Sequence, residues 1–256
     1  MTKRITIFVY GVVCYAMFLG VFLYAIGFVG NAFVPKTLDS GPQSPLGVAL
    51  LINVALLGLF AVQHSVMARP TFKNWWTRFI PKEAERSTYM LFSNLAMIAL
   101  FLFWEPIGGT IWNVEDPTGR AVLYGLSGIG WLIVLGSSFA INHFDLFGLR
   151  QVWLCLIGKE YTQLKFRIPG PYKLVRHPLY VGWLTAFWAT PTMTVAHLVF
   201  ASAIAAYILI AIYFEERNLI EDLGEDYTEY KRTVPGLIPF SKKKDTPILE
   251  GLHEVG

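Results

Sequence analysis

Charge is scarce in this chain. Asp, Glu, Lys and Arg make up 15% of its 256 residues and hydrophobic residues 54%, where an ordinary soluble domain is about 25% charged. That balance excludes a water-soluble globular fold and gives no reason to expect a nucleic-acid partner. Cysteine is nearly absent. Cys14 lies in an apolar block and Cys155 in a distant loop, so neither a CxxC pair nor a disulfide framework is expected. The chain has no GxGxxG, no GxxxxGK[ST] and no HExxH, which removes the common soluble dinucleotide, nucleotide and zinc-hydrolase sites. It also has no internal repeat and no low-complexity stretch.

Long apolar runs are what it does have. They cover about 5–30, 46–68, 87–104 and 120–141, each close to the roughly 20 residues needed to cross a hydrocarbon core as a helix. The first run follows Lys3-Arg4 and is longer than the apolar part of a signal peptide. It reads as a retained helix. The last apolar region is broken at Pro191. Leu179–Thr190 is too short to cross a bilayer, and Ala196–Phe214 comes close to it. The expected fold is therefore an all-α polytopic membrane protein with about four full spans and a C-terminal helical hairpin, tilted or partly re-entrant. Three regions follow: an N-terminal bundle over 1–141, a core over 142–240 and a polar tail over 241–256.

Basic residues fall on one side of this arrangement. With the N-terminus in the cytoplasm, the outward segments carry Lys36, with Arg120 at a border. Lys3, Arg4, Arg69, Lys73, Arg78, Lys82, Arg86, Arg150, Lys159, Lys165, Arg167, Lys173, Arg176, Arg217 and the Lys242–Lys244 run all face inward. The positive-inside rule then places both termini in the cytoplasm.

Four polar clusters share that face: Gln63-His64, Asn142-His143 with Asp145, Arg176-His177 and Glu215-Glu216-Arg217. Ionisable groups at membrane depth are costly and mark sites by default. His177-Pro178 opens a helix whose free N–H groups and positive dipole end suit a carboxylate or hydroxyl. Its plainer alternative is a helix start with interfacial Arg, His and Tyr anchors. Glu215-Glu216 is expected to end the return helix, where acids oppose the dipole. A cation, ribose hydroxyls or arginines should therefore favour them, and the plainer alternative is an ion-pair cluster with Arg176 and Arg217. His143 and Asp145 are candidates for a general-base unit, in a segment (Asn142 to Gln151) that also fits an interfacial loop. His64 alone fits a hydrogen-bonded structural histidine. His64, His143 and His177 do not have a spacing that demands a metal. His197 and His253 carry no assignment.

The order Gly170-Pro171-Tyr172 … Arg176-His177-Pro178-Leu179-Tyr180 … Glu215-Glu216-Arg217 … Tyr227 … Tyr230 resembles the isoprenylcysteine carboxyl methyltransferase and phospholipid methyltransferase superfamily. Gln63-His64-Ser65-Val66-Met67-Ala68-Arg69 resembles NnrU-type membrane proteins. Together with Asn142–Arg150, the whole is similar to the bacterial methanethiol S-methyltransferases of that superfamily. The resemblance implies S-adenosylmethionine bound near Tyr172, Arg176, His177, Pro178, Tyr180, Glu215 and Glu216, with a small thiol as acceptor. It also implies a bacterial inner-membrane enzyme whose site faces the cytoplasm, among membrane lipids. His143, Asp145 and His64 are then the candidate catalytic residues, and Asn142, Arg150 and Gln151 the candidates for contact with the acceptor. No resident metal is expected. A prenylcysteine or lipid acceptor remains open, as does haem on His64 and His143 in an NnrU-like isomerase.

Overall fold

A computed structural model describes residues 1–241. Beyond Ser241, the expected polar tail, with Lys242, Lys243, Lys244 and His253, lies outside the described residues. The elements are α1 (Thr2–Gly30), α2 (Leu46–Ala68), α3 (Pro70–Trp76), α4 (Glu85–Phe103, entered through a 3-10 turn at Lys82–Ala84), β1 (Thr110–Asn113), α5 (Pro117–Ile141), α6 (His143–Leu146) and α7 (Leu149–Leu156). A second 3-10 turn at Gly170–Lys173 precedes α8 (Pro178–Trp188), β2 (Thr192–Thr194), α9 (Val195–Leu223) and α10 (Glu225–Thr233).

Among the described residues, five helices are long and apolar enough to cross a membrane: α1, α2, α4 with its entering turn, α5 and α9. They carry apolar side chains outward as well as inward. Leu23, Leu51, Leu132 and Tyr213 are all exposed, as expected where lipid replaces water and helices close their own backbone hydrogen bonds. The chain is an all-α polytopic membrane protein.

The C-terminal hairpin differs from the sequence expectation in two ways. First, its return arm does not stop near Phe214. It continues to Leu223, held by the Arg217–Glu221 pair one turn apart, and ends where Gly224 takes φ +59. Second, α8 is only about 16 Å long, and the chain beyond it continues without helix: Thr190 donates its N–H back to the Trp188 carbonyl, the chain bends at Pro191, and Thr192–Thr194 form β2. That segment pairs antiparallel with β1, and Val114 donates its N–H to the Pro191 carbonyl. A turn and a short strand thus complete the arm that the helix leaves short.

An aromatic core fills the half of the bundle nearest the two strands. Phe28, Phe101, Trp104, Trp131, Phe187 and Phe200 pack there with Leu38 and Leu100. At the closest approach of α5 and α8, Gly130 faces Gly182. A Cβ on Gly182 would sit 2.8 Å from the Gly130 carbonyl oxygen, and one on Gly130 would sit 2.4 Å from the Ala186 nitrogen. Small residues let membrane helices touch backbone to backbone, and Ser127 reinforces the seam by donating to the Ala186 carbonyl.

Candidate active site

The motif residues before α8 first hold one another and the C-terminal segment. Arg176 and His177 run extended, and their N–H groups donate to the carbonyls of Pro235 and Gly236. The Arg176 guanidinium donates through Nε to Glu216 Oε1 at 2.7 Å and through Nη1 to the carbonyls of Lys231 and Val234. His177 Nε2 lies 2.9 Å from the same carboxylate oxygen, and Lys231 Nζ lies 2.9 Å from Oε2. Glu216 is buried. The Tyr230 hydroxyl donates to the Tyr172 carbonyl at 2.6 Å. Arg176, His177 and Glu216, which the sequence offers to a cofactor, thus form a clamp that seats α10 on the motif. Of the two arginines expected beside the acids, Arg176 is there. Arg217 instead pairs with Glu221 at the surface. The acids lie two turns inside α9, so nearby cations govern them rather than the helix dipole.

The open half of the motif is formed by Glu215, Tyr180 and Tyr172. Glu215 keeps 47% of its side-chain surface exposed and accepts from the Tyr180 hydroxyl at 3.0 Å. The His177 and Tyr180 rings stack, with centroids 5.6 Å apart. Burial, and then the Glu215 carboxylate, push the Tyr172 phenol well above its usual range. Pro178 is the first residue of α8, where a missing N–H costs nothing. Measured from Val195 at 1.5 Å per residue, Glu215 stands about 30 Å along α9, at the edge of a hydrocarbon core of that thickness.

Two residues of the Gln63-His64-Ser65 run reach this region from α2. Tyr89 and His64 Nε2 are 2.7 Å apart, and His64 Nδ1 is 3.2 Å from Ser93 Oγ. Ser93 gives its hydroxyl proton to the Tyr89 carbonyl at 3.0 Å. The network therefore assigns the His64 proton to Nδ1, which donates to Ser93, and makes Nε2 the acceptor of the Tyr89 hydroxyl. Phe60 stacks on His64. Ser65 pairs with the Tyr207 hydroxyl at 3.1 Å. Phe60 on α2 also meets the Tyr207 ring, with centroids 6.4 Å apart, so the two halves of the chain meet along α9, about two turns from Glu215. Beside Ser65 opens a cleft of about 450 Å³ lined by Val66, Arg69, Thr71, Phe72 and Trp75.

His143 repeats the same construction at another place. Ser138 donates to the Leu135 carbonyl at 2.7 Å and takes the Nδ1 proton of His143 at 2.8 Å, while Tyr15 donates to Nε2 at 2.8 Å. Phe139 lies parallel on the imidazole, with centroids 4.1 Å apart, and Phe18, Phe144 and Phe147 close the box. Phe18 and Phe147 also pack against the cluster of Met67, Tyr89 and Met90. Both ring nitrogens of each histidine are thus engaged by hydroxyls.

The expected His143–Asp145 unit is not formed. Residues two apart on a helical turn do not face each other. Asp145 instead accepts from Arg150 at 2.9 Å and from the Tyr161 hydroxyl at 3.2 Å. Asn142, Arg150 and Gln151 brace that same turn. Asn142 ends α5 at φ 100 and accepts from the Asp145 N–H, and Gln151 donates to the Asp145 carbonyl. Asn142 and Arg150 also line a second cleft of about 450 Å³ with Phe8, Val12, Phe144, Leu149 and Trp153. Gln151 does not line that cleft. Among the described residues no three His, Cys, Asp or Glu side chains converge as metal ligands. Tyr15, Tyr89, Ser93, Ser138 and Tyr207 are absent from the sequence-derived site. The available signal was a tyrosine inside an apolar span, which needs a hydroxyl partner when buried.

Burial holds the His143 pKa below its ordinary 6.5. As pH falls, the unfolded chain takes up that proton first, so stability is lost below about pH 6.5 and is unaffected by this group above it. His143→Gln is expected to flatten the acid-side fall of melting temperature in detergent micelles. An unchanged slope would remove His143 as its source.

No family model and no solved structure matches the chain. Among curated proteins it is 59% identical over 242 residues to a methanethiol S-methyltransferase of Crocosphaera subtropica, covering 94% of this chain and 95% of that one. It is 50% identical over 238 residues to one of Mycobacterium tuberculosis, covering 93% and 98%. A more distant likeness, 30% over 181 residues and about two thirds of each chain, is to bovine Nurim. At such identity across nearly the whole length, with the Gly170–Tyr180 motif and the His64 run both inside the matched span, the chain belongs to the methanethiol S-methyltransferase family of membrane enzymes.

Proposed function

We propose that this enzyme transfers a methyl group from S-adenosylmethionine to the sulfur of methanethiol, giving dimethyl sulfide, at the cytoplasmic face of a bacterial inner membrane. The observation that carries the reading is that α9 holds both Glu215, bonded to Tyr180, and Tyr207, bonded to Ser65 beside the Tyr89–His64 pair, in a chain of this family. The residues fit the donor. A half-exposed carboxylate and the faces of Tyr172, Tyr180 and His177 suit a sulfonium cation with polar appendages. The N-terminus of α8 behind Pro178 suits a carboxylate. The Arg176–Glu216–His177 clamp shapes this site from behind. When bound, S-adenosylmethionine supplies an electrophilic methyl carbon.

The protein's own contribution is alignment, exclusion of water and removal of a proton. A plain alkyl thiol ionises less readily than cysteine, whose pKa is about 8.5. At a pKa of about 10, only about one molecule in a thousand is thiolate at about pH 7, a deficit of about 4 kcal/mol. Neutral His64 beside the site and neutral His143 in its own ring box offset part of it. Because the reacting charges cancel, an apolar, ring-lined space favours the transfer. Asp145, fixed by Arg150 and Tyr161, supports the turn that carries His143. The basic end faces the cytoplasm by the positive-inside rule.

The test is incubation of protein purified in detergent micelles with methyl-labelled S-adenosylmethionine and methanethiol. Labelled dimethyl sulfide in the headspace is the expected result. Label passing only to a prenylcysteine or a phospholipid would overturn the acceptor assignment. A Soret band in the purified protein, with no methyl transfer, would favour a haem-binding role.

A further inference from the structure

We propose that Tyr89 is the group that takes the proton from the acceptor thiol, working as a relay with His64 and Ser93. The inference rests on the methyl-transfer reading above. Each member of this set has one defined hydrogen-bonding task. Ser93 donates to the Tyr89 carbonyl and accepts from His64 Nδ1, and His64 Nε2 accepts from the Tyr89 hydroxyl. Lone pairs are left on two oxygens of the set, Ser93 Oγ and Tyr89 Oη, and Tyr89 Oη is the one that can pass its own proton directly to His64 Nε2. Arg86 places its guanidinium 5.2 Å from the Tyr89 ring centroid and is itself anchored on the Leu146 carbonyl. A fixed cation there favours an electron-rich phenol oxygen. The twin set, Tyr15–His143–Ser138, has the same hydrogen bonds, but the Tyr89 set is the one packed toward α9: Phe60, stacked on His64, meets the Tyr207 ring edge-on, and Ser65 bonds the Tyr207 hydroxyl, about two turns along that helix from Glu215.

The step balances as follows. The thiol S–H bond breaks and its proton goes to Tyr89 Oη, while the proton Tyr89 held moves to His64 Nε2. The freed sulfur electron pair forms the new S–C bond as the sulfonium C–S bond breaks. Two neutral thioethers result, with one proton left on the imidazole. Arg86 disfavours a lasting second positive charge nearby, so that proton returns through Tyr89 to water as products leave. Tyr89 is the catalytic residue of this set; His64 and Ser93 act through it.

The test compares two acceptors of the same shape, methanethiol and methaneselenol, because the selenol is largely ionised near neutral pH and needs no base. Tyr89→Phe is expected to lower kcat on methanethiol by about a hundredfold or more, within the usual range for general acid–base catalysis. Turnover of methaneselenol and S-adenosylmethionine affinity should stay within a few-fold of wild type. Ser93→Ala should show the same acceptor-dependent loss, more weakly, and is the variant to read if Tyr89→Phe does not accumulate. An equal loss on both acceptors, or no loss on methanethiol, would overturn the role of Tyr89. Absence of methyl transfer by the wild-type protein to either acceptor would instead overturn the reading beneath it.

Discussion

Glu216→Leu is expected to lower stability by about 3–5 kcal/mol, the usual result of removing one partner from a buried ion pair, and to abolish donor binding with it. Two side chains that stay buried, Arg176 and His177, depend on this carboxylate. Leucine would leave the Arg176 guanidinium without its counter-charge while still joined to the carbonyls of Lys231 and Val234. The Lys231 arm of the cluster is 41% exposed and adds little, as surface ion pairs do. The loss should therefore appear as release of α10 from the motif. Melting in micelles, limited proteolysis around Gly224 and calorimetric titration with S-adenosylmethionine would measure it. Wild-type melting together with wild-type affinity would show that the clamp is dispensable.

Changing its neighbour should do the opposite. Glu215→Gln is expected to leave the melting temperature near wild type and to weaken S-adenosylmethionine binding by about tenfold to a hundredfold, the range for losing a charge-assisted hydrogen bond. The side chain is about half exposed, and glutamine still accepts from Tyr180, so folding loses little. What disappears is the negative charge beside the faces of Tyr172, Tyr180 and His177. Calorimetry with the natural donor and with its demethylated, uncharged thioether product would separate charge from shape: the variant should discriminate less between the two. Unchanged affinity would move the donor away from Glu215.

The spans and their orientation were legible in the sequence because apolar length and basic asymmetry are both local properties. The division of labour between Glu215 and Glu216 was not. Adjacent residues on a helix point about 100° apart, and only the packed structure shows that one meets Arg176 and the other the open side. The same step on α2 sends His64 to Tyr89 on α4 and Ser65 to Tyr207 on α9. The suggested His143–Asp145 unit failed for the converse reason, since nearness in sequence is not nearness in space on a helical turn. The true partners of His143 include Tyr15, 128 positions away, a distance that no local pattern encodes. The end of α9 was misplaced because charged residues were read as a stop, whereas the helix runs about two and a half turns past Phe214 and the Arg217–Glu221 pair supports that extension.

The seam between α5 and α8 constrains how the site can move. Where Gly130 meets Gly182, the backbones are already in contact, so sliding α8 along α5 would drive a side chain into a carbonyl. The strand pairing at the far end removes rotation as well. α8 therefore acts as a strut, and the motif at its tip is stationary relative to the bundle. Any breathing that admits and releases ligands falls to the other wall, where α10 packs Tyr227 and Tyr230 into a small cluster of its own with Phe166, Ile168, Leu219 and Leu223 and can shift as a unit without unpacking the aromatic core.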